Sequence, residues 1–173
     1  MNAMLDSMDT TEILDKAVAA RRLLKAPRDL VFKAWSSPEA LNNWWGPDGF
    51  SNTTKFFDFQ DGGGWRFTMH GPDGRDYGNV IHYDEIVPGE RLRYHQGGEP
   101  GGEPITFQVQ VEFKAQGANT LISMRMEFPS NKQRDYVIEN YGAFEGLKQT
   151  LGRLVEYLAK SAQCVGADGR DES

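Results

Sequence analysis

The chain has 173 residues, of which 39% are hydrophobic and 12% aromatic. This length and composition fit one folded domain and exclude a largely disordered chain. With 25 acidic against 19 basic side chains the formal charge is −6, which disfavours binding to nucleic-acid phosphates. A single cysteine, Cys164, excludes an internal disulfide and a Cys-based zinc site.

No apolar run reaches the roughly 18 residues that a membrane-spanning helix needs, and no basic residue precedes Asp15. We therefore expect neither a membrane span nor a secretory signal, and a cytoplasmic location. No cofactor or metal is predicted, because His70, His82 and His95 are not spaced to share an ion and no glycine-rich loop leads into a helix.

The two ends of the chain offer little to bury, so we expect flexible segments at 1–13 and 161–173 around a domain at 14–160. A first strand is predicted over Ala17–Leu24. Two short helices should follow it, because Pro27 and the Ser37-Pro38 pair are typical helix starts.

From Phe50 to Phe128 apolar and polar residues alternate, which indicates strands. About six to seven strands are predicted in all, counting the first. After Pro129 apolar residues recur every three or four positions, which predicts one long helix. An α+β domain is expected, in which a curved antiparallel sheet wraps around this helix.

Several segments together resemble a known family. They are PRDLVFKAW at 27–35, SPEAL at 37–41, WWGP at 44–47, GGGWRFTM at 62–69, EIVPGERL at 85–92 and GAFEG at 142–146. The chain is similar over residues 14–160 to the C-terminal domain of the activator of the 90-kDa heat-shock chaperone ATPase. The resemblance implies the helix-grip fold, which is shared with START-like lipid-transfer domains, polyketide cyclases and the birch-pollen-allergen type. It does not imply one function, because this fold hosts many.

In such a fold the concave face of the sheet and the long helix enclose a cavity, so the inward side chains are the candidate ligand contacts. If Trp65 faces inward and the turn at 71–74 pairs it with Val80, then His82 and Asp84 share its face. The next turn places Tyr94 there as well. A single bulge would invert this assignment.

The predicted ligand-binding set combines apolar, aromatic and a few polar side chains that would give selectivity. It comprises Trp45, Trp65, Phe67, Met69, His82, Asp84, Tyr94, Phe107, Met124, Met126, Tyr141, Phe144 and Glu145. His82 beside Asp84 has the composition of a general base, while the alternative is a hydrogen-bonded set at the cavity mouth or on the outer face. Only one residue of the Trp44-Trp45 pair is expected to face the cavity.

Two glycines in the predicted long helix, Gly142 and Gly146, cost about 1 kcal/mol each relative to Ala. Either the helix approaches the sheet closely there, or these positions leave open space beside it. Ile81 and Tyr83 on the predicted outer face would form an apolar patch for a possible homodimer.

Three functions remain open from the sequence. The first is a non-catalytic domain that binds a small hydrophobic or aromatic molecule. The second, implied by the family name, is a co-chaperone. It is disfavoured because about fourteen residues precede the shared fold, where the eukaryotic activator has a separate chaperone-binding domain. The third is a cyclase or hydrolase that uses His82 and Asp84.

Overall fold

The computed structural model describes residues 9–98 and 106–172, with side chains up to residue 161. In chain order the elements are β1 (Thr10–Leu14), β2 (Ala17–Leu24), α1 (Arg28–Lys33), α2 (Pro38–Trp44), β3 (Ser51–Asp58), β4 (Gly64–His70), β5 (Asp76–Val87), β6 (Arg91–Gly98), β7 (Thr106–Gln116), β8 (Asn119–Glu127), α3 (Asn131–Tyr141) and α4 (Ala143–Glu172).

The strands form one antiparallel sheet in the order β1-β2-β8-β7-β6-β5-β4-β3. From β3 to β8 each strand lies beside the preceding one, whereas β2 pairs with β8. The connection through α1 and α2 therefore crosses the sheet from β2, the second strand from one edge, to β3 at the other edge. The predicted α+β architecture, a curved antiparallel sheet with a long C-terminal helix, is confirmed.

Regular secondary structure is present at both ends of the predicted domain. Thr10–Leu14 forms an edge strand against β2, within the segment expected to be flexible. The Asp9 carboxylate also accepts a hydrogen bond from the Leu23 N–H at 2.9 Å, which ties this end to the sheet. At the other end the backbone of α4 stays helical to Glu172, although a tail was expected from residue 161. Strand pairing at the N-terminal end and helix α4 at the C-terminal end therefore extend beyond residues 14–160, which the apolar pattern had marked as the domain.

The two short helices begin where the sequence predicted. The Ser37 hydroxyl accepts from the Ala40 N–H at 3.2 Å and Pro38 occupies the first turn of α2. This arrangement satisfies one of the otherwise unpaired N–H groups at the helix start.

The single long helix predicted after Pro129 is in fact two helices. Gly142 ends α3 in the left-handed conformation, with φ at +61°, and its N–H bonds to the Ile138 carbonyl at 3.0 Å. Glycine adopts this conformation without the strain that a Cβ would add. The chain turns there, and α4 begins at Ala143.

The core lies between the inner face of the sheet and α4. Leu147, Leu151, Leu154 and Leu158 of α4 are all buried, at spacings of four, three and four residues. Each buried leucine contributes about 1.5–3 kcal/mol relative to an exposed one. This stripe fixes which side of α4 faces the sheet.

Candidate functional site

A cavity of about 520 Å³ lies between the inner face of the sheet, helices α3 and α4, and the loop that follows α2. Seven of the thirteen predicted ligand-binding residues line it: Trp45, Met69, Tyr94, Phe107, Met124, Met126 and Tyr141. The strand residues in this set alternate with outward-facing neighbours, as expected for a sheet with one covered face. These seven residues therefore share one surface, and their contact with a ligand remains a prediction.

The two adjacent tryptophans have different environments. Trp44 is fully buried and donates its indole N–H to the Ala34 carbonyl at 3.0 Å, whereas Trp45 lines the cavity. Trp35 packs edge-on against both rings, with centroids 4.8 and 5.8 Å away. Trp44 therefore anchors α2 in the core, and Trp45 is the member of the pair available to a ligand.

Trp65 and Phe67 point inward but do not line the cavity. Both side chains are fully buried, and their rings stack at 3.7 Å with 17° between the planes. Trp45 covers them, because its ring lies edge-on to Trp65 at 5.1 Å. Their part in the site is to hold Trp45 in position.

The prediction that His82 and Asp84 face the cavity is wrong, because both lie exposed on the outer face of β5. The β4–β5 hairpin closes through the five residues 71–75, one more than the predicted turn, so Trp65 pairs with Ile81. The Asp73 carboxylate accepts from the Arg75 N–H at 3.0 Å and stabilises this longer loop. A one-residue slip in register moves every side chain to the opposite face.

On the outer face His82 and Asp84 interact with His95 of β6. The His95 Nδ1 lies 3.0 Å from the Asp84 carboxylate, and the His82 and His95 rings stack at 4.9 Å. An acid–base role for His82 and Asp84 in the cavity is thus excluded by their position.

Tyr94 still faces inward, because a bulge at Asp84 restores the alignment of the next hairpin. Tyr83 pairs with Tyr94 and Glu85 pairs with Arg93, which leaves Asp84 without a partner in the register.

The same register places Ile81 and Tyr83 in the core, where they are 1% and 4% exposed. The apolar patch that was expected to support a homodimer is therefore not on the surface, so the prediction of this patch is wrong.

Phe144 and Glu145 lie on the first turn of α4 but outside the cavity lining. Phe144 packs against the core while the Lys148 ammonium lies 4.7 Å from its ring centre. Glu145 is exposed and pairs with Lys148 at 3.4 Å. The break at Gly142 sets the rotation of α4 and directs these two side chains away from the cavity.

No Asp, Glu, Lys, Arg or His is among the described residues that line the cavity. Its polar groups are hydroxyls and amides, contributed by Tyr77, Asn79, Tyr94, Gln96, Asn140, Tyr141 and Thr150. A charged ligand would be desolvated here without a counter-ion, which is costly.

Tyr94 is the most buried of these polar groups, with 2% of its surface exposed. Burial raises the pKa of its phenol far above the ordinary value, and the neighbouring Tyr83 raises it further. The phenol is therefore a neutral donor and acceptor held at the cavity wall.

The loop after α2 is held to α4 by a residue that the sequence analysis did not single out. Arg153 donates from Nη1 to the carbonyls of Trp45, Gly46 and Pro47 at 3.2, 3.0 and 2.9 Å. Gly146 is close to the same loop, since a Cβ there would lie 3.3 Å from Pro47. Gly146 and Arg153 are two helical turns apart in the sequence, and this spacing places the two residues on one face of α4.

The two alternatives for these glycines were close approach of the helix to the sheet and open space beside the helix, and each glycine has a different environment. Gly146 allows close approach, though to the loop and not to the sheet. A Cβ at Gly142 would meet nothing within 4 Å, so this position borders open space.

Within the described residues, no three His, Cys, Asp or Glu side chains are grouped so that they could hold a metal ion. None of the helices searched is both long and apolar enough to cross a membrane.

Comparisons with known proteins agree with this architecture. Residues 25–159 match the family model described as "Activator of Hsp90 ATPase homolog 1-like protein". A search of curated proteins found no match. Among solved structures, the NMR structure of a protein from Arthrobacter aurescens is similar with a TM-score of 0.82 and 21% identity, covering 88% of this chain and 92% of that one.

Two crystal structures are similar as well. A protein from Mycobacterium smegmatis gives a TM-score of 0.80 at 17% identity, covering 88% of this chain and 98% of its own. A protein from Chromobacterium violaceum gives a TM-score of 0.73 at 24% identity, covering 83% of this chain and 96% of its own. At these identities the likeness shows a shared fold.

Proposed function

The chain belongs to the activator of Hsp90 ATPase homolog 1-like family, and we propose that its cavity is a non-catalytic site that binds a small hydrophobic or aromatic molecule. The observation that carries this proposal is the cavity of about 520 Å³, which lies within the range of about 300–1,000 Å³ usual for small-molecule sites.

The lining supports a neutral ligand with an apolar body. Trp45, Phe107, Met124 and Met126 offer aromatic and flexible apolar contact, and no charged side chain is present among the described lining residues to pair with an ionised group. Methionine adapts its shape to irregular ligands. Fatty acids and other organic anions should therefore bind more weakly than neutral molecules of similar size.

Polar contact must supply the selectivity. Burying about 300 Å² of apolar ligand surface gains roughly 7 kcal/mol at 25 cal/mol/Å², while association costs about 4 kcal/mol or more. The Tyr94 hydroxyl can add a hydrogen bond to a ligand hydroxyl or carbonyl, worth about 1 kcal/mol. We therefore expect Tyr94→Phe to weaken binding roughly fivefold.

The first experiment is native mass spectrometry of the protein purified from its own host, followed by denaturation and identification of the released molecule. Met126→Trp, which fills the cavity, should abolish ligand retention. Tyr83→Phe is the matched control for Tyr94→Phe, because Tyr83 is its buried register partner but does not line the cavity.

A stoichiometric neutral ligand that Met126→Trp excludes would support the proposal. An empty protein, without a thermal shift across a panel of neutral hydrophobic metabolites, would contradict it. The co-chaperone function suggested by the family description would then be tested next, by a pull-down with a 90-kDa heat-shock chaperone.

A further inference from the structure

Three side chains on adjacent strands form a hydrogen-bonded chain on the outer face of the sheet, away from the cavity. Thr53 of β3 places its Oγ1 2.7 Å from Nε2 of His70 on β4. The other ring nitrogen, Nδ1, lies 2.7 Å from the Asp76 carboxylate on β5. A hydroxyl, an imidazole and a carboxylate are thus linked in that order.

The register of the sheet brings these residues together. His70 pairs with Asp76 at the end of the β4–β5 hairpin and with Ser51 of β3 on its other side. Thr53 lies two residues beyond Ser51, so it shares the same face of β3. The three positions therefore occupy one patch at the end of three neighbouring strands.

When the His70 imidazole is neutral, the two hydrogen bonds require one tautomer. An ionised carboxylate only accepts, so Asp76 requires the proton on Nδ1 of His70. Nε2 is then an acceptor, and the Thr53 hydroxyl donates to it. This is the arrangement in which a histidine removes a proton from a hydroxyl nucleophile and a carboxylate orients the ring.

We propose that Thr53, His70 and Asp76 form an acyl-transfer site for small carboxylic esters. Thr53 Oγ1 attacks the ester carbonyl carbon while its proton passes to His70 Nε2. The carbon–oxygen bond to the leaving alcohol then breaks, and the alcohol takes that proton. Water attacks the resulting Thr53 ester with His70 again as base, which releases the carboxylic acid and restores the hydroxyl.

The exposure of the patch defines the substrate class. Thr53 is exposed, and the His70 and Asp76 side chains are 37% and 64% exposed. None of the three lines the cavity, so a long acyl chain would find no enclosure there. Acetyl-sized groups on good leaving alcohols fit this open surface.

A second His–Asp pair on the same face provides an internal comparison. His95 bonds to Asp84 at 3.0 Å, but its ring stacks on His82 and no described hydroxyl bonds to it. The two pairs are similarly exposed. Only the His70 pair holds a nucleophile, so the proposal predicts reactivity at one pair and not at the other.

The test uses the full chain and p-nitrophenyl acetate. Release of nitrophenolate is followed over time, and peptide mass spectrometry locates acetyl groups. We expect acetylation of Thr53 about 100-fold or more faster than of Thr68, an outward threonine on β4, since general-base catalysis contributes about 10²–10⁴. Thr53→Val should remove the initial burst, His70→Gln should slow it at least 100-fold, and Asp76→Asn about tenfold or more.

His95→Gln is the matched control and should leave the burst unchanged. Circular dichroism and thermal unfolding of each variant establish that it is folded, as expected for exposed positions. An unlabelled Thr53, or equal labelling in His70→Gln and the unmodified protein, would overturn the proposal. So would a burst that survives Thr53→Val, because His70 would then be the nucleophile itself.

Discussion

Replacement of Arg153 by methionine should destabilise the protein and loosen the wall of the cavity. Methionine keeps most of the apolar stem but removes the donor that bonds to the carbonyls of Trp45, Gly46 and Pro47. Trp45 and Pro47 line the cavity, so the same change should also weaken ligand binding.

The magnitude depends on which carbonyls find other partners. The Trp45 carbonyl still accepts from the Asn52 amide at 2.9 Å, and the Pro47 carbonyl from the Phe50 N–H at 3.1 Å. Only the Gly46 carbonyl is left without another donor among the described residues. A hydrogen bond to a charged group contributes about 1.5–3 kcal/mol, and one nitrogen cannot direct three full bonds. We expect a loss of about 2 kcal/mol.

Urea and thermal unfolding measure this effect. For a domain of this length, about 2 kcal/mol corresponds to a fall in Tm of roughly 4–8 °C. Lys148→Met on the same helix is the control, because its pair with Glu145 at 3.4 Å is exposed and should contribute at most about 1 kcal/mol. A change below about 0.5 kcal/mol in Arg153→Met, or an equal loss in Lys148→Met, would refute the reasoning.

Three further predictions rest on the burial of two tyrosines and on the surroundings of two glycines. Burial raises the pKa of Tyr83 and Tyr94, so the unfolded chain loses these protons first and stability should fall as pH rises above about 10, the ordinary tyrosine pKa. In a spectrophotometric titration, these two phenols should ionise only when the protein unfolds, and reversible ionisation of all six tyrosines in the folded state would contradict this. Gly152→Ala should stabilise α4 by up to about 1 kcal/mol, because the added Cβ meets nothing within 4 Å. Gly64→Ala should destabilise the sheet, because its Cβ would lie 2.7 Å from the Ile81 carbonyl oxygen. Urea unfolding of the Gly152→Ala and Gly64→Ala variants measures both changes in stability. Equal changes in the two variants would contradict these predictions.

The periodicity of the sequence was sufficient to predict most elements, because alternation and helical spacing directly report which face is buried. It failed where backbone pairing acts without an apolar pattern. The strand Thr10–Leu14 has only two apolar residues, buries little and is held by pairing with β2, so hydrophobicity does not reveal it. The end of α3 at Gly142 depends on a left-handed residue inside an unbroken apolar stripe, and that stripe predicts a continuous helix.

The inward orientation of apolar residues was easier to predict than that of polar residues, for a physical reason. Met124 and Met126 lie on a strand whose alternation alone decides their face, and Trp45 follows a helix end that its motif locates. The hydrogen bonds of Arg153 join residues more than 100 positions apart, so no local pattern reports them. The triad of Thr53, His70 and Asp76 likewise depends on the pairing of three strands.

The face assignments along β5 and β6 show how two local features combine. The five-residue loop at 71–75 shifts the register by one, which turns His82 outward and Tyr83 inward. The bulge at Asp84 shifts it again by one, so Ile86, Leu92 and Tyr94 recover the inward orientation that the simple alternation predicts. The two shifts cancel for every residue beyond the bulge. Tyr94 is therefore at the cavity because of a loop and a bulge together, and removing either alone should turn that segment of the sheet inside out.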